Sequence, residues 1–296
     1  MIGVVLSGGG NRGALEAGAL IALFEHGIKP DILVGTSAGA MNSAFLATDP
    51  TFEGARKLAD IWRSVKREDI FPGNLFSYAA RFITGADSLS TNDNLRKFVT
   101  SHLPQGFNTF GDIKDIKLYL TTSNINTAEI FLWGDDPAAS LVEAVLSSAA
   151  APALLPPIEY DGFQYVDGAV CADVPISICI DRGATDVYAI DVGLSALVKQ
   201  NVHGIVNLVT RAIGVMEHQQ LIDDLFDVKN NTNVTLHYLP IESFPDVGDF
   251  DHGGEFVEEG YRLMKQFLES GAGIQLPAKV MEAPAPPGAR KWQRKR

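Results

Sequence analysis

Cysteine is nearly missing from this chain. Its 296 residues hold two, Cys171 and Cys179, which excludes a disulfide framework. Both lie in apolar surroundings that suit buried free thiols. Long apolar runs are missing too, and none approaches the ~18 residues of a membrane span. Residues 1–7 have no basic segment ahead of their apolar ones and run straight into a glycine turn. They read as a strand and not as a leader, so the expected location is cytoplasmic. Positive charge is scarce. Lys and Arg number 24 against 36 Asp and Glu, a net charge of −12. Five of the 24 crowd into residues 290–296, so residues 1–289 carry −17. Such a body repels nucleic acid and, on average, an anionic membrane.

What is present is the composition of a globular chain: 46% hydrophobic and 20% charged residues, with no internal repeat. Short apolar runs at 3–6 and 32–34 each end on glycine and lead into helical patterns over 11–26 and 38–47. An amphipathic helix is expected over 52–66, strands over 117–122 and 129–133, and a helix over 141–150. Further strands are expected at 163–166, 186–192 and 233–239, and long helices at 202–220 and 255–270. This alternation predicts an α/β fold, a mostly parallel central sheet with helices on both faces. No polar linker divides the chain, so one domain is expected over 1–276. The tail at 277–296, with Pro284, Pro286, Pro287 and Gly288 before its basic end, is expected to be flexible and either solvated or in contact with anionic lipid. Residues 67–93 are aromatic and punctuated by glycine. They suit a flap over an apolar pocket and core packing equally.

Three features carry chemistry. Gly35-Thr36-Ser37-Ala38-Gly39 is a G-x-S-x-G pentapeptide between a strand and a helix, where a serine on a strained turn exposes its Oγ at the sheet edge. Gly35 and Gly39 are expected to be glycine because side chains there would strike the neighbouring strand and helix. Ser7-Gly8-Gly9-Gly10-Asn11-Arg12-Gly13 gathers several backbone N–H groups at one point, an anion site for a phosphate or an oxyanion. Gly8, Gly10 and Gly13 also match the dinucleotide pattern G-x-G-x-x-G. That pattern wants an acid at the end of the second strand, and Asp31, the nearest, precedes it. Asp167-Gly168 ends a short strand at the same sheet edge, where a carboxylate would lie close to an elbow serine. Of the six histidines, His252 is placed late enough in the chain to complete a conventional triad, although no motif surrounds it.

Together these features resemble the patatin-like phospholipase family. The likeness runs over about 1–270. It takes in Ser147-Ser148-Ala149-Ala150-Ala151-Pro152, Leu155-Pro156-Pro157 and Asp173-Val174-Pro175. Ala169 departs from the second glycine that many members carry. The resemblance implies a Ser37–Asp167 dyad without histidine, metal or cofactor. It also implies an oxyanion hole from Gly8, Gly9 and Gly10 with Arg12 in support, an acyl-enzyme, and a lipid or phospholipid ester as substrate. Aromatic residues in a mobile flap would allow peripheral contact with a lipid surface. Two other readings stay open: a nucleotide-binding protein using the Gly8–Gly13 loop, and a non-catalytic lipid-binding protein on the same fold.

Overall fold

The computed structural model describes residues 1–73, 81, 84–193, 201–229, 233–241 and 249–271. The chain begins with β1 (Ile2–Leu6), a 3₁₀ turn over Gly10–Arg12, α1 (Gly13–Glu25), β2 (Ile32–Gly35), α2 (Ala38–Ala47), α3 (Phe52–Ser64) and the one-turn α4 (Arg67–Ile70). It continues with α5 (Asp93–His102), β3 (Lys117–Asn124), β4 (Glu129–Trp133), α6 (Leu141–Ser148), β5 (Ile158–Tyr160), β6 (Phe163–Asp167) and α7 (Ala169–Ala172). Then follow α8 (Ile176–Asp181), β7 (Asp186–Asp191), α9 (Ile205–Lys229), β8 (Thr235–Pro240) and α10 (Gly253–Glu269).

The strands form one sheet in the order β5-β6-β3-β2-β1-β7-β8, with β4 also on β3. β3, β2, β1, β7 and β8 are parallel, while β4, β5 and β6 pair antiparallel. Successive side chains of a strand point to opposite faces. Val4, Leu6 and Leu33 enter the core beneath α1, α2 and α3. Val5, Ile32 and Val34 enter a second core with Ile176 and Cys179 of α8 and Leu221 and Leu225 of α9. Helices therefore cover both faces, as the α/β pattern predicts.

One pairing detail positions the site. β4 covers Leu120–Asn124 of β3 along one edge. β6 pairs with Thr122–Asn124, so it must occupy the other edge, where β2 pairs with Lys117–Leu120. β2 and β6 thus run toward each other along a single edge of β3. Gly35 lies opposite Leu120 and Asp167 opposite Thr122, so the two strand ends meet.

Several boundaries differ from the sequence pattern. The long helix starts at Ile205 and continues to Lys229, because Leu221, Leu225 and Val228 add a buried stripe beyond residue 220. Helix α3 stops at Ser64, and Val65 is extended. Helix α5, hidden in the polar stretch 93–102, is held by the burial of Leu95, Phe98 and Val99. Phe76, Tyr78 and Phe82 of the expected flap, and the tail at 277–296, lie outside the described residues.

Candidate active site

Ser37 sits between β2 and α2 with φ 54° and ψ −118°, a left-handed conformation that costs a non-glycine residue on the order of 1–3 kcal/mol. The surroundings hold it there. A Cβ at Gly39 would lie 2.6 Å from the Ser7 carbonyl oxygen, and one at Gly35 would lie 2.5 Å from Ser43 Oγ. Both elbow glycines answer to close approach, as expected.

The meeting of β2 and β6 brings the Ser37 hydroxyl to Asp167, and Oγ–H donates to Oδ2 at 2.7 Å. Oδ1 accepts the Ala169 N–H at 3.0 Å. Asp167 is only 4% exposed. Burial pushes its carboxyl up to about 6, against the lowering effect of the Ala169 and Ser37 hydrogen bonds. That is a better match to proton transfer near neutrality than an ordinary aspartate provides. The segment at 148–150 clamps both halves: the Ser37 N–H donates to Ser148 Oγ at 2.9 Å, and the Asp167 N–H donates to the Ala150 carbonyl at 3.0 Å.

The glycine loop is best read through its peptide planes, since each trans plane points its C=O and the following N–H in opposite directions. The Ser7 carbonyl accepts the Gly39 N–H at 3.1 Å, and the Gly8 N–H of that plane donates to Asp173 Oδ1 at 2.9 Å. The Gly8 carbonyl accepts the Ser7 hydroxyl at 3.0 Å, which turns the Gly9 N–H away. The Gly9 carbonyl accepts Arg12 N–H and Nε–H, both at 3.2 Å, which turns the Gly10 N–H away. Among the described residues the N–H groups of Gly9, Gly10 and Ala38 have no acceptor, and all three residues line one cavity. This corrects the expectation for Gly8: its amide is committed to Asp173, leaving Gly9, Gly10 and Ala38 as the available donors. Gly10, at φ 61°, is in the left-handed region.

Arg12 is 3% exposed. It also donates Nη1 to the Gly193 carbonyl at 3.0 Å, joining the loop to the end of β7. Burial lowers its pKa, and Asp173, Asp191, Glu217 and Glu16 oppose that shift. Asp173 lies well above the usual carboxylate range because of burial and the charges of Glu217, Asp191 and Asp167. Burial pushes Glu217 of α9 up to about 8. Sequence reasoning missed the roles of Ser148, Asp173 and Glu217. The first two stand inside quoted motifs, but their hydrogen bonds depend on the tertiary pairing. Glu217 has no local signal at all.

The cavity encloses about 320 Å³, at the small end of the roughly 300–1,000 Å³ of ligand sites. Ser37, Asp167 and the glycine loop form one part of its lining. Met41, Ile70, Phe71, Leu95, Leu154, Leu155 and Phe250 form an apolar wall. Among the described residues, no histidine lines it. His252 stands on the surface with Nδ1 against Asp249 Oδ2 at 2.8 Å, a partner that raises its pKa. Asp31 accepts the Ile2 N–H at 2.8 Å, at the sheet edge opposite the glycine loop, so it does not supply the ribose-binding acid of a dinucleotide site. Among the described residues there is no His, Cys, Asp and Glu group fit to hold a metal, and no helix is long and apolar enough to cross a membrane.

A strained elbow serine, a buried carboxylate on its hydroxyl and amides without an acceptor among the described residues thus stand together in the lining of one cavity. The chain belongs to the patatin-like phospholipase family, whose model matches residues 4–180. It is similar to Lysophospholipase NTE1 of Scheffersomyces stipitis, 29% identical over 200 residues, which cover 65% of this chain and 12% of that protein. It is also similar to Lysophospholipase nte1 of Aspergillus fumigatus, 27% identical over 314 residues, covering 95% of this chain and 19% of that protein. The chain therefore spans less than a fifth of the length of these curated relatives. Among solved structures, VipD from Legionella pneumophila aligns with a TM-score of 0.49 and 18% identity, over 90% of this chain and 66% of VipD.

Proposed function

We propose that this chain hydrolyses acyl esters of lipids through Ser37 and Asp167. The Ser37 Oγ attacks the ester carbonyl while its proton passes to Asp167 Oδ2. The carbonyl oxygen becomes an oxyanion beside the N–H groups of Gly9, Gly10 and Ala38. As the tetrahedral intermediate collapses, the C–O bond to the alcohol breaks and the alcohol leaves with the proton from Asp167. Water then gives a proton to Asp167 and its oxygen to the acyl carbon; the bond from the acyl carbon to Oγ breaks, Asp167 returns the proton to Oγ, and the fatty acid leaves with Ser37 restored. Each oxyanion donor supplies about 2.7–4 kcal/mol in comparable sites, and Arg12 holds the plane that aims the Gly10 amide.

The observation that carries this reading is the 2.7 Å Ser37–Asp167 hydrogen bond in the wall of an apolar cavity. The apolar wall of the cavity suits an acyl chain, in keeping with the lysophospholipase names of the relatives. The test is labelling with an alkyl fluorophosphonate followed by peptide mapping. Modification of Ser37, absent in Asp167→Asn, is expected. Failure of the intact protein to react at Ser37 overturns the mechanism.

A further inference from the structure

Helix α9 (Ile205–Lys229) has a buried stripe and an exposed apolar one. Leu221, Leu225 and Val228 are buried in the second core. Toward its N-terminus, Ile205, Leu208, Val209, Val215 and Met216 are exposed, Ile205 to 68% and Val215 to 56%. Their spacing of three, four and seven residues puts them, together with exposed Ala212, on one stripe. Of the eleven large apolar side chains exposed among the described residues, six lie on this helix. Such a stripe in water marks a surface that something else covers.

Charge and position indicate what covers it. The chain carries 36 acidic residues among 296, yet none lies between Asp191 and Glu217. At the average density about three would be expected, so the exposed stripe over Ile205–Met216 is spared the repulsion the rest of the body feels from lipid phosphates. The same helix reaches the cavity: Glu217 is part of its lining, and exposed Val215 and Met216 are its immediate neighbours in the same turn. One turn thus has a cavity side and an apolar outer side.

We propose that the outer face of α9 around Leu208, Val215 and Met216 docks flat on a phospholipid surface and sets the cavity against the layer that supplies its acyl chains. This rests on the lipid ester hydrolysis proposed above, and the two can fail separately. The test uses the full chain carrying Ser37→Ala, floated with phosphatidylcholine vesicles. It is compared with the same protein carrying Leu208→Glu, Val215→Glu and Met216→Glu. The triple substitution on the active background is assayed with p-nitrophenyl butyrate. At least a tenfold loss of vesicle partitioning is expected, with turnover of the soluble ester and Tm unchanged.

If the triple variant does not fold, Met216→Trp keeps the question open to measurement. Relative to the parent, whose Trp62, Trp133 and Trp292 give the background, the added emission should shift to the blue and be quenched by brominated lipid in the bilayer. Vesicle binding unaffected by the triple substitution, or no vesicle binding by the parent, overturns the docking. A dimer in light scattering that the triple substitution splits assigns the face to a second copy and also overturns it. Vesicle binding by a chain that hydrolyses no soluble ester upholds the docking and removes the hydrolase instead.

Discussion

Asp167 carries two opposed demands, and its titration separates them. Its carboxyl lies at about 6 in the fold against an ordinary value near 3.8. The stability associated with its proton is therefore fully present below about pH 4 and is lost as pH rises through 6. Asp167→Asn does not ionise. We expect it to be as inactive as Ser37→Ala, down by 10³-fold or more, yet more stable than the parent by on the order of 1–3 kcal/mol at pH 8. The two melting curves should converge below pH 4. In the parent, kcat/KM should fall on the acidic side with an inflection near pH 6, and His252→Gln should leave that inflection in place. A profile governed by His252 would rule out the dyad. Asp173 offers a second residue-scale test. It accepts the Gly8 N–H through Oδ1, a duty an amide oxygen can also perform. Asp173→Asn should keep most activity, while Asp173→Ala, which frees the Ser7–Gly8 plane, should lower kcat by about tenfold or more with little change in KM.

Between elements, the junction of α1, α2 and α3 depends on Asn42. Its Nδ2 donates to the Gly13 carbonyl at 2.9 Å and to Glu16 Oε2 at 2.8 Å, and its Oδ1 accepts Trp62 Nε1–H at 2.7 Å. All of these groups are buried. Glu16 is completely enclosed, and burial raises its pKa well above the ordinary range. Asn42→Ala takes the side-chain partner from the Trp62 indole N–H and from Glu16 Oε2 and should cost about 1–3 kcal/mol in urea unfolding. The elements themselves were largely legible. β1, β2 and α2 declare themselves through apolar runs bounded by glycine and small residues, and the elbow and the Asp167 turn were recognisable as motifs. Hidden from the sequence was how the motifs join. Nothing local says that β6 shares an edge of β3 with β2, that Asp173 takes the Gly8 amide, or that α9 delivers Glu217 to the cavity. Each depends on register between segments far apart in the chain. Helix α5 was missed for a related reason, since its three buried residues gain meaning only against the core they enter.

For the whole molecule, the acids gathered around the glycine loop set a pH response. Asp167, Asp173, Glu16 and Glu217 all titrate above their ordinary values because they are buried. A fold that holds protons its unfolded chain releases is destabilised as pH rises between the two sets of values, here from about 4 toward about 8. Tm should accordingly be lower at pH 8.5 than at pH 5.5 by a few degrees, and calorimetry at the two values decides it.

The head-to-head arrangement of β2 and β6 also matters while the protein is being made. Ser37 and Asp167 are 130 positions apart. At roughly 5–20 residues per second of synthesis, the serine leaves the ribosome about 6–26 s before the aspartate. During that interval the nascent chain has the proposed nucleophile without its proposed base. If the dyad acts as proposed, the chain is disarmed during that interval, because pairing of the last residues of β6 with β3 is the event that switches it on.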